Sequence, residues 1–178
     1  MFLFSLFTIA DSPSEKKYRP DVETLYGQYA DMVYRIAFVR TLNASDAEDI
    51  LQDVFCRYIR SNTTFADEGH CRAWLIRAAI NCSSSLLTSA WRRHTVSGDS
   101  SAENVICRME RDTEVYHAVM QLPEKQRVAV HLFYYEDYSV DKIARLTGST
   151  VSAVKSRLHR AREELRCLLK EDFDEFQE

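Results

Sequence analysis

The stretch STVSAVKSRLHRARE, residues 149–163, decides how this chain folds. It mixes cations with apolar residues at helical spacing: Lys155, Arg157, Arg160 and Arg162 stand among Val151, Val154, Leu158 and Ala161. The whole chain carries a net charge of −4, so this cluster of cations is a local feature. Two explanations compete for it: an ordinary solvated helix face, or a surface built to lie against phosphate groups.

A helical wheel separates the two kinds of residue in this stretch. At about 100° per residue, Val154, Leu158, Ala161 and Leu165 share one narrow sector and are predicted to face a core. The opposite half holds polar residues: Ser152, Lys155, Ser156, His159, Arg160 and Glu163. Arg157 and Arg162 lie at the two edges of the apolar stripe. A helix that enters a DNA major groove needs this arrangement, because its polar face reaches base edges while flanking cations pair with phosphates.

The residues before this helix predict how it begins. Ser139 can cap a short helix, VDKIARLT, and Gly148 is the expected left-handed residue that ends it. Ser149 or Thr150 then caps the long helix, which is predicted to run from 151 to about 169. The combination predicts a helix-turn-helix. A basic helix that is merely solvated remains the alternative at this point.

Composition favours helices throughout the chain. Of 178 residues, 46% are hydrophobic and 28% charged, which is a normal globular balance. Only four Gly and three Pro are present, too few for a fold with many tight turns. We therefore predict an all-α protein with two small helical domains joined by a flexible linker. The predicted segments are a disordered leader, 1–20; an N-terminal domain, 21–93; a linker, 94–108; a C-terminal domain, 109–170; and an acidic tail, 171–178.

The N-terminal domain is predicted to contain three helices whose charge changes sign along the chain. The second helix opens with Ser45 and Glu48 at the spacing of a capping box, and its early part is acidic. The third helix, about 70–91, belongs to a stretch without any acidic residue between positions 70 and 98. That stretch carries four cations: Arg72, Arg77, Arg92 and Arg93. Opposed acidic and basic surfaces are therefore expected on this domain.

Neither targeting nor metal chemistry is indicated. The start, MFLFSLFTIA, is far shorter than the roughly 20 apolar residues of a membrane span, and it lacks the basic region of a signal peptide. The five cysteines show neither a disulfide framework nor paired zinc-ligand spacing. We expect a cytoplasmic protein without cofactor, metal, small-molecule substrate or stable membrane insertion.

Three stretches together resemble the extracytoplasmic-function (ECF) sigma factors of the sigma-70 family: DAEDILQDVF (46–55), RAWLIRAAIN (72–81) and LPEKQRVAVHLFYYEDYSVDKIARLTGSTVSAVKSRLHRARE (122–163). The resemblance implies a non-enzymatic protein with two helical promoter-binding domains. Its implied partners are core RNA polymerase and promoter DNA, and an anti-sigma factor is a further possible partner. Two departures from the family pattern are the unusually uncharged CSSSLLTSAW after Asn81, and Lys142 where the family commonly has glutamate.

The resemblance also implies roles for individual residues. Bases of the minus-35 element would be read by Lys155, Ser156, His159 and Arg160. Phosphates there would be contacted by Ser152, Arg157 and Arg162. The melted minus-10 strand would meet Phe65, Asn81, Arg92 and Arg93. Core polymerase would bind the acidic second helix through Asp46, Glu48, Asp49, Gln52 and Asp53.

Two other classes of protein stay open from the residues alone. A helix-turn-helix repressor or activator would share the C-terminal half. A redox or metal sensor could use Cys56, His70, Cys71, Cys82 and Cys107, although Cys56 and Cys82 lie at core spacing, where a small buried thiol is the usual explanation.

Overall fold

The computed structural model describes residues 17–93 and 113–175. For residues 87–93, 113 and 170–175 the description is limited to the backbone. Within these ranges the fold is all-α, as predicted. The predicted linker, 94–108, lies outside the described residues. The helices are α1 (Val22–Thr41), α2 (Ala44–Arg60), α3 (Glu68–Arg93), α4 (Thr113–Gln121), α5 (Glu124–Val130), α6 (Val140–Thr147) and α7 (Val151–Glu175); α5 continues into a π-helical turn, His131–Tyr135.

The first three helices form a bundle in which α1 packs against both α2 and α3. Their apolar stripes meet in a core that includes Leu25, Val33, Ile36, Ile50, Val54, Leu75 and Ile76, each at most 1% exposed. The start of α2 differs from the prediction. Asn43 is its N-cap, with Oδ1 accepting a hydrogen bond from the backbone N–H of Asp46 at 2.9 Å. Ser45 therefore lies inside the first turn, and the predicted capping box is wrong.

Residues 17–20 are ordered, so the prediction of a disordered leader is wrong for this segment. The backbone of Tyr18 exchanges two hydrogen bonds of 2.8 Å with the backbone of Phe65. The guanidinium of Arg19 lies 4.8 Å from the ring centre of Tyr58 and donates to the carbonyl of Ser61 at 2.7 Å. This short strap holds the loop between α2 and α3 against the bundle. The remainder of the leader lies outside the described residues.

The C-terminal half confirms the predicted caps. Ser139 Oγ accepts from the backbone N–H of Lys142 at 3.4 Å. Gly148 has φ 61°, the left-handed conformation that glycine adopts without strain, and it ends α6. Thr150 Oγ1 accepts from the N–H of Ala153 at 3.1 Å and caps α7. Helix α7 reaches Glu175, beyond the predicted end near 169, so part of the expected acidic tail is helical.

The two halves pack against each other. One apolar cluster includes residues of both, among them Val39 of α1 and Val128 of α5. Polar contacts also cross the boundary. Arg40 pairs with Glu124 at 2.7 Å, and Arg77 donates to the carbonyl oxygen of Arg145 at 2.6 Å. The structure thus shows a packed arrangement that local sequence patterns do not predict.

Candidate nucleic-acid interface

Helix α7 presents the predicted polar face to solvent. Lys155, Ser156, His159 and Arg160 are all exposed. On the opposite side of the same helix, Val154, Leu158 and Ala161 are at most 3% exposed. The turn at Gly148 and the Thr150 cap fix where α7 begins, so this face has a defined direction. An exposed row of donors and cations on a rigid helix is what a groove-reading element requires.

The predicted phosphate contacts lie at the margins of this face. Arg157 is half-buried, and its Nη1 donates to Ser149 Oγ in the turn at 2.8 Å. Arg162 is exposed, and its Nε donates to the carbonyl of Leu158 at 3.0 Å. Ser152 is exposed one residue into the helix. Both arginines are therefore held by neutral acceptors and keep their charge for an external anion.

The acidic residues of α2 form a second exposed surface. Glu48, Asp49, Gln52 and Asp53 are exposed, whereas Ala47, Ile50 and Val54 of the same helix are buried. Asp46 is half-buried near the helix start, and burial together with the charge of Asp49 raises the pKa of its carboxyl. The concentration of negative charge suits a basic partner surface.

The predicted single-strand contacts are not all available. Phe65 is only 2% exposed: its ring lies 6.3 Å from that of Tyr58 in a stacked geometry and 5.9 Å from Trp74 edge-on. The ring cannot stack on a nucleobase while it fills this core, so the expectation of a DNA contact from Phe65 is wrong. Asn81 is exposed. The side chains of Arg92 and Arg93 lie outside the described part of the chain.

Sequence reasoning missed a buried carboxylate at the boundary between the halves. Glu136, 3% exposed, follows the π-helical turn and accepts a hydrogen bond from Arg72 of α3 at 2.7 Å. His131 Nε2 lies 3.4 Å from its other oxygen. Burial by itself would raise the pKa of Glu136, but the adjacent His131 imidazole and the hydrogen bond from Arg72 outweigh it and hold the pKa below its ordinary value. No sequence motif signals this ion pair.

Because the folded pKa of Glu136 is lowered, its stabilising effect should be complete above the ordinary glutamate pKa of 4.5 and should fade as the pH falls below that value. We expect Glu136→Gln to lower the free energy of unfolding by about 2 kcal/mol at pH 7. This difference should shrink as the pH approaches 3. Denaturant unfolding across this pH range measures it. Glu163→Gln, which alters an exposed carboxylate, is the control; parallel pH profiles for wild type and Glu136→Gln would contradict the role of the pair.

The residues considered for a metal or thiol sensor differ in exposure: Cys56 is half-buried, His70 is exposed, and Cys71 and Cys82 are buried. The described residues contain no group of three His, Cys, Asp or Glu side chains placed to hold a metal ion. Cys71 and Cys82 are buried, and burial raises the pKa of Cys71 to about 11, which keeps the thiol protonated and unreactive. Cys107 lies outside the described residues. No helix in the described part of the chain combines the length and the apolar composition of a membrane span.

Comparisons with known proteins match both halves of the chain to sigma-70 regions. Residues 25–93 match Sigma-70 region 2, and residues 112–165 match Sigma-70, region 4. The chain is 30% identical to RNA polymerase sigma-H factor of Pseudomonas aeruginosa over 138 residues, covering 68% of this chain and 72% of that protein. It is 29% identical to ECF RNA polymerase sigma factor SigE of Mycolicibacterium smegmatis over 168 residues, covering 89% of this chain and 65% of that protein, just under two thirds of its length.

Solved structures show the same fold. The sigma factor RpoE of Bartonella quintana, determined with the anti-sigma factor NepR, superposes with a TM-score of 0.61 at 20% identity and covers 83% of this chain and 96% of that one. CnrH, determined with the cytosolic domain of CnrY, superposes with a TM-score of 0.61 at 23% identity. The match covers 85% of this chain and 88% of CnrH. With both sigma-70 regions matched in order on an all-α chain, the protein belongs to the sigma-70 family, as a sigma factor of the ECF type.

Proposed function

We propose that this chain binds core RNA polymerase and directs it to a specific set of promoters. The observation that carries the proposal is the exposed face of α7, where Lys155, Ser156, His159 and Arg160 stand clear of a helix whose other side is buried. Such a face combines base-reading donors with a fixed direction of approach. The protein's place of action is the cytoplasm, where polymerase and promoter DNA meet.

The C-terminal half has the role of reading duplex DNA at the minus-35 element. Arg160 is the residue best suited to a bidentate contact with guanine, because its guanidinium is exposed near the N-terminal part of the helix. Ser152, Arg157 and Arg162 contact phosphates, which fixes the register of the helix without reading sequence.

The N-terminal half binds polymerase and the melted strand. The acidic surface of α2, formed by Asp46, Glu48, Asp49, Gln52 and Asp53, docks on a basic region of core polymerase. Asn81, Arg92 and Arg93 contact the minus-10 strand. The burial of Phe65 supports a structural role for that ring: with Tyr18 paired to its backbone, it shapes the loop that precedes α3.

An anti-sigma factor is a further proposed partner. One protein of the same fold was determined in complex with the anti-sigma factor NepR, and another, CnrH, in complex with the cytosolic domain of CnrY. The exposed surfaces of α2 and α7 offer an inhibitor two ways to act, by covering the polymerase contact or the DNA contact.

Run-off transcription with purified core polymerase on a library of genomic promoter fragments tests the proposed function. We expect transcripts from a small subset of fragments that share a minus-35 and a minus-10 element, and co-elution of the chain with core polymerase. Transcription without promoter preference, or failure to co-elute, would exclude it.

Reversing two charges on α2 should weaken the binding of the chain to core polymerase. We expect Asp49→Lys with Asp53→Lys to weaken association with core polymerase at least about tenfold, because like charges then face each other across the contact. A pull-down with titrated polymerase measures the loss. The control is Asp31→Lys on α1, another exposed carboxylate, which should leave binding unchanged. Equal affinities for all three proteins would remove α2 from the polymerase contact.

A further inference from the structure

A crevice of about 450 Å³ lies between the two halves of the molecule. Its walls carry cations from both sides: Arg40 and Arg77 from the N-terminal half, and Lys125, Arg145 and Arg157 from the C-terminal half. Glu124 is the single carboxylate in this lining. Five cations against one anion leave the walls with a net charge of +4.

The contacts around the crevice leave most of this charge unneutralised. Glu124 pairs with Arg40 at 2.7 Å. Arg77 donates to a main-chain carbonyl and Arg157 to a serine hydroxyl, both neutral acceptors. Among the described residues, none of the four remaining cations of the lining forms an ion pair with a carboxylate. Like charges that face each other across a partly enclosed space repel, so the packed arrangement gains stability from any anion that enters it.

Arg40 adds a more specific signal. Burial lowers the pKa of its guanidinium, against the opposing charge of Glu124. Its Nε is fully buried and has no hydrogen-bond partner within the described residues. A buried donor without a partner lowers the stability of the folded state. Arg40 therefore lines a crevice with surplus positive charge, while its own Nε is a buried donor without a partner.

We propose that this crevice is a binding site for a small, multiply charged phosphate compound, such as a pyrophosphate or the polyphosphate group of a nucleotide. Guanidinium groups match phosphate oxygens with paired hydrogen bonds. Asn81, Ser84 and Ser149 line the same space and supply neutral polar groups. The volume lies in the usual range for small-ligand sites and is too small for a DNA duplex. The net charge of +4 selects for ligands with several negative charges.

Occupancy of the site opposes promoter binding, a step that rests on the proposed function. The ligand contacts both halves, so it stabilises their packed arrangement by linkage. Asn81 and Arg157, proposed to contact the minus-10 and minus-35 elements, line one crevice here. Those elements are about 25 base pairs apart, or about 85 Å at 3.4 Å per base pair. The halves must therefore separate to engage both elements, and the bound phosphate compound resists that separation.

Isothermal titration calorimetry of the full chain with sodium pyrophosphate tests the site, at an ionic strength held constant with sodium chloride. We expect saturable binding of one pyrophosphate per chain. Arg77→Gln should weaken it about tenfold or more, since a charge-assisted contact is lost. Arg60→Gln, which removes an exposed cation at the end of α2 away from the crevice, should leave the affinity unchanged.

Glu124→Gln provides a gain in affinity that a folding defect cannot imitate. It removes the one carboxylate of the lining and releases Arg40, so pyrophosphate should bind several-fold more tightly than to wild type. Three results would overturn the site. The first is pyrophosphate binding that disappears when the ionic strength is matched. The others are an equal loss of affinity in Arg60→Gln and Arg77→Gln, or weaker binding to Glu124→Gln than to wild type. Because the assay contains neither polymerase nor promoter, such a failure leaves the run-off transcription result, and the proposed function, untouched.

Discussion

Replacing Arg127 by methionine should lower the free energy of unfolding by about 4 kcal/mol, roughly twice the effect expected for Glu136→Gln. Arg127 is 5% exposed. Its Nη1 donates to the carbonyls of Met120 and Leu122, each at 2.9 Å, and its Nε donates to the carbonyl of Val39 in α1. Methionine fills similar space but leaves these three carbonyl oxygens without their donor.

Urea denaturation measured by circular dichroism gives the stability of the variant. Arg60→Met is the matched control, because Arg60 is exposed on α2 and should change stability by less than about 0.5 kcal/mol. Arg127→Lys should recover only part of the loss, since an ammonium lacks the planar fork that spans three acceptors. If Arg127→Met and Arg60→Met unfold at the same urea concentration, the guanidinium does not join the two halves.

Replacing Arg160 by alanine should reduce transcription from the cognate promoter by a factor of about 5 to 150, while association with core polymerase stays unchanged. A bidentate arginine–guanine contact contributes about 1 to 3 kcal/mol of discrimination, which corresponds to this range. The variant should also lose its preference at one base pair of the minus-35 element, because a base contact specifies a position whereas a phosphate contact does not.

Arg166→Ala is the control for this prediction. Arg166 lies farther along α7, is exposed, and pairs with Glu163 at 2.6 Å. Its loss removes the same charge from the same side of the helix, at a position beyond the four residues proposed to read bases. The transcript yields of the two variants are compared by single-round run-off transcription. The templates are the cognate promoter and variants of its minus-35 element. Similar activities for Arg160→Ala and Arg166→Ala, or reduced polymerase association in Arg160→Ala alone, would remove Arg160 from base reading.

The helix-turn-helix could be predicted from the sequence because its determinants are local. A cap such as Ser139 or Thr150 acts within three residues, and Gly148 ends α6 through its own backbone conformation. The periodicity of α7 likewise placed Val154 inside and Lys155 outside. The exposed candidate face follows from these rules alone, although its partner does not.

The boundary between the halves could not be predicted, because its contacts join residues far apart in sequence. Arg127 binds a carbonyl 88 residues away, and Glu136 meets a guanidinium 64 residues away. Periodicity treats an arginine or a glutamate as a surface residue, so both were overlooked. The phosphate-sized crevice arises from the same packing and has no signature in any single segment.

Phe65 was expected at a binding surface and is buried in the core. The resemblance to the ECF sigma factors implies that it contacts the melted strand, which requires an exposed ring. In the structure the Phe65 ring is buried instead. The backbone of Tyr18, in the segment 17–20, pairs with the backbone of Phe65, and the Phe65 ring packs on Tyr58. A segment predicted to be disordered therefore decided the environment of a predicted binding residue.

The π-helical turn at His131–Tyr135 has a consequence for comparing this chain with its relatives. Each turn of that form contains more residues than an α-helical turn, so the side chains beyond it are rotated out of the helical phase of α5. Glu136 follows directly on this turn and is buried. An alignment with a relative whose helix is uninterrupted should therefore allow a one-residue gap within these five positions, because the columns after them otherwise compare residues on different helix faces.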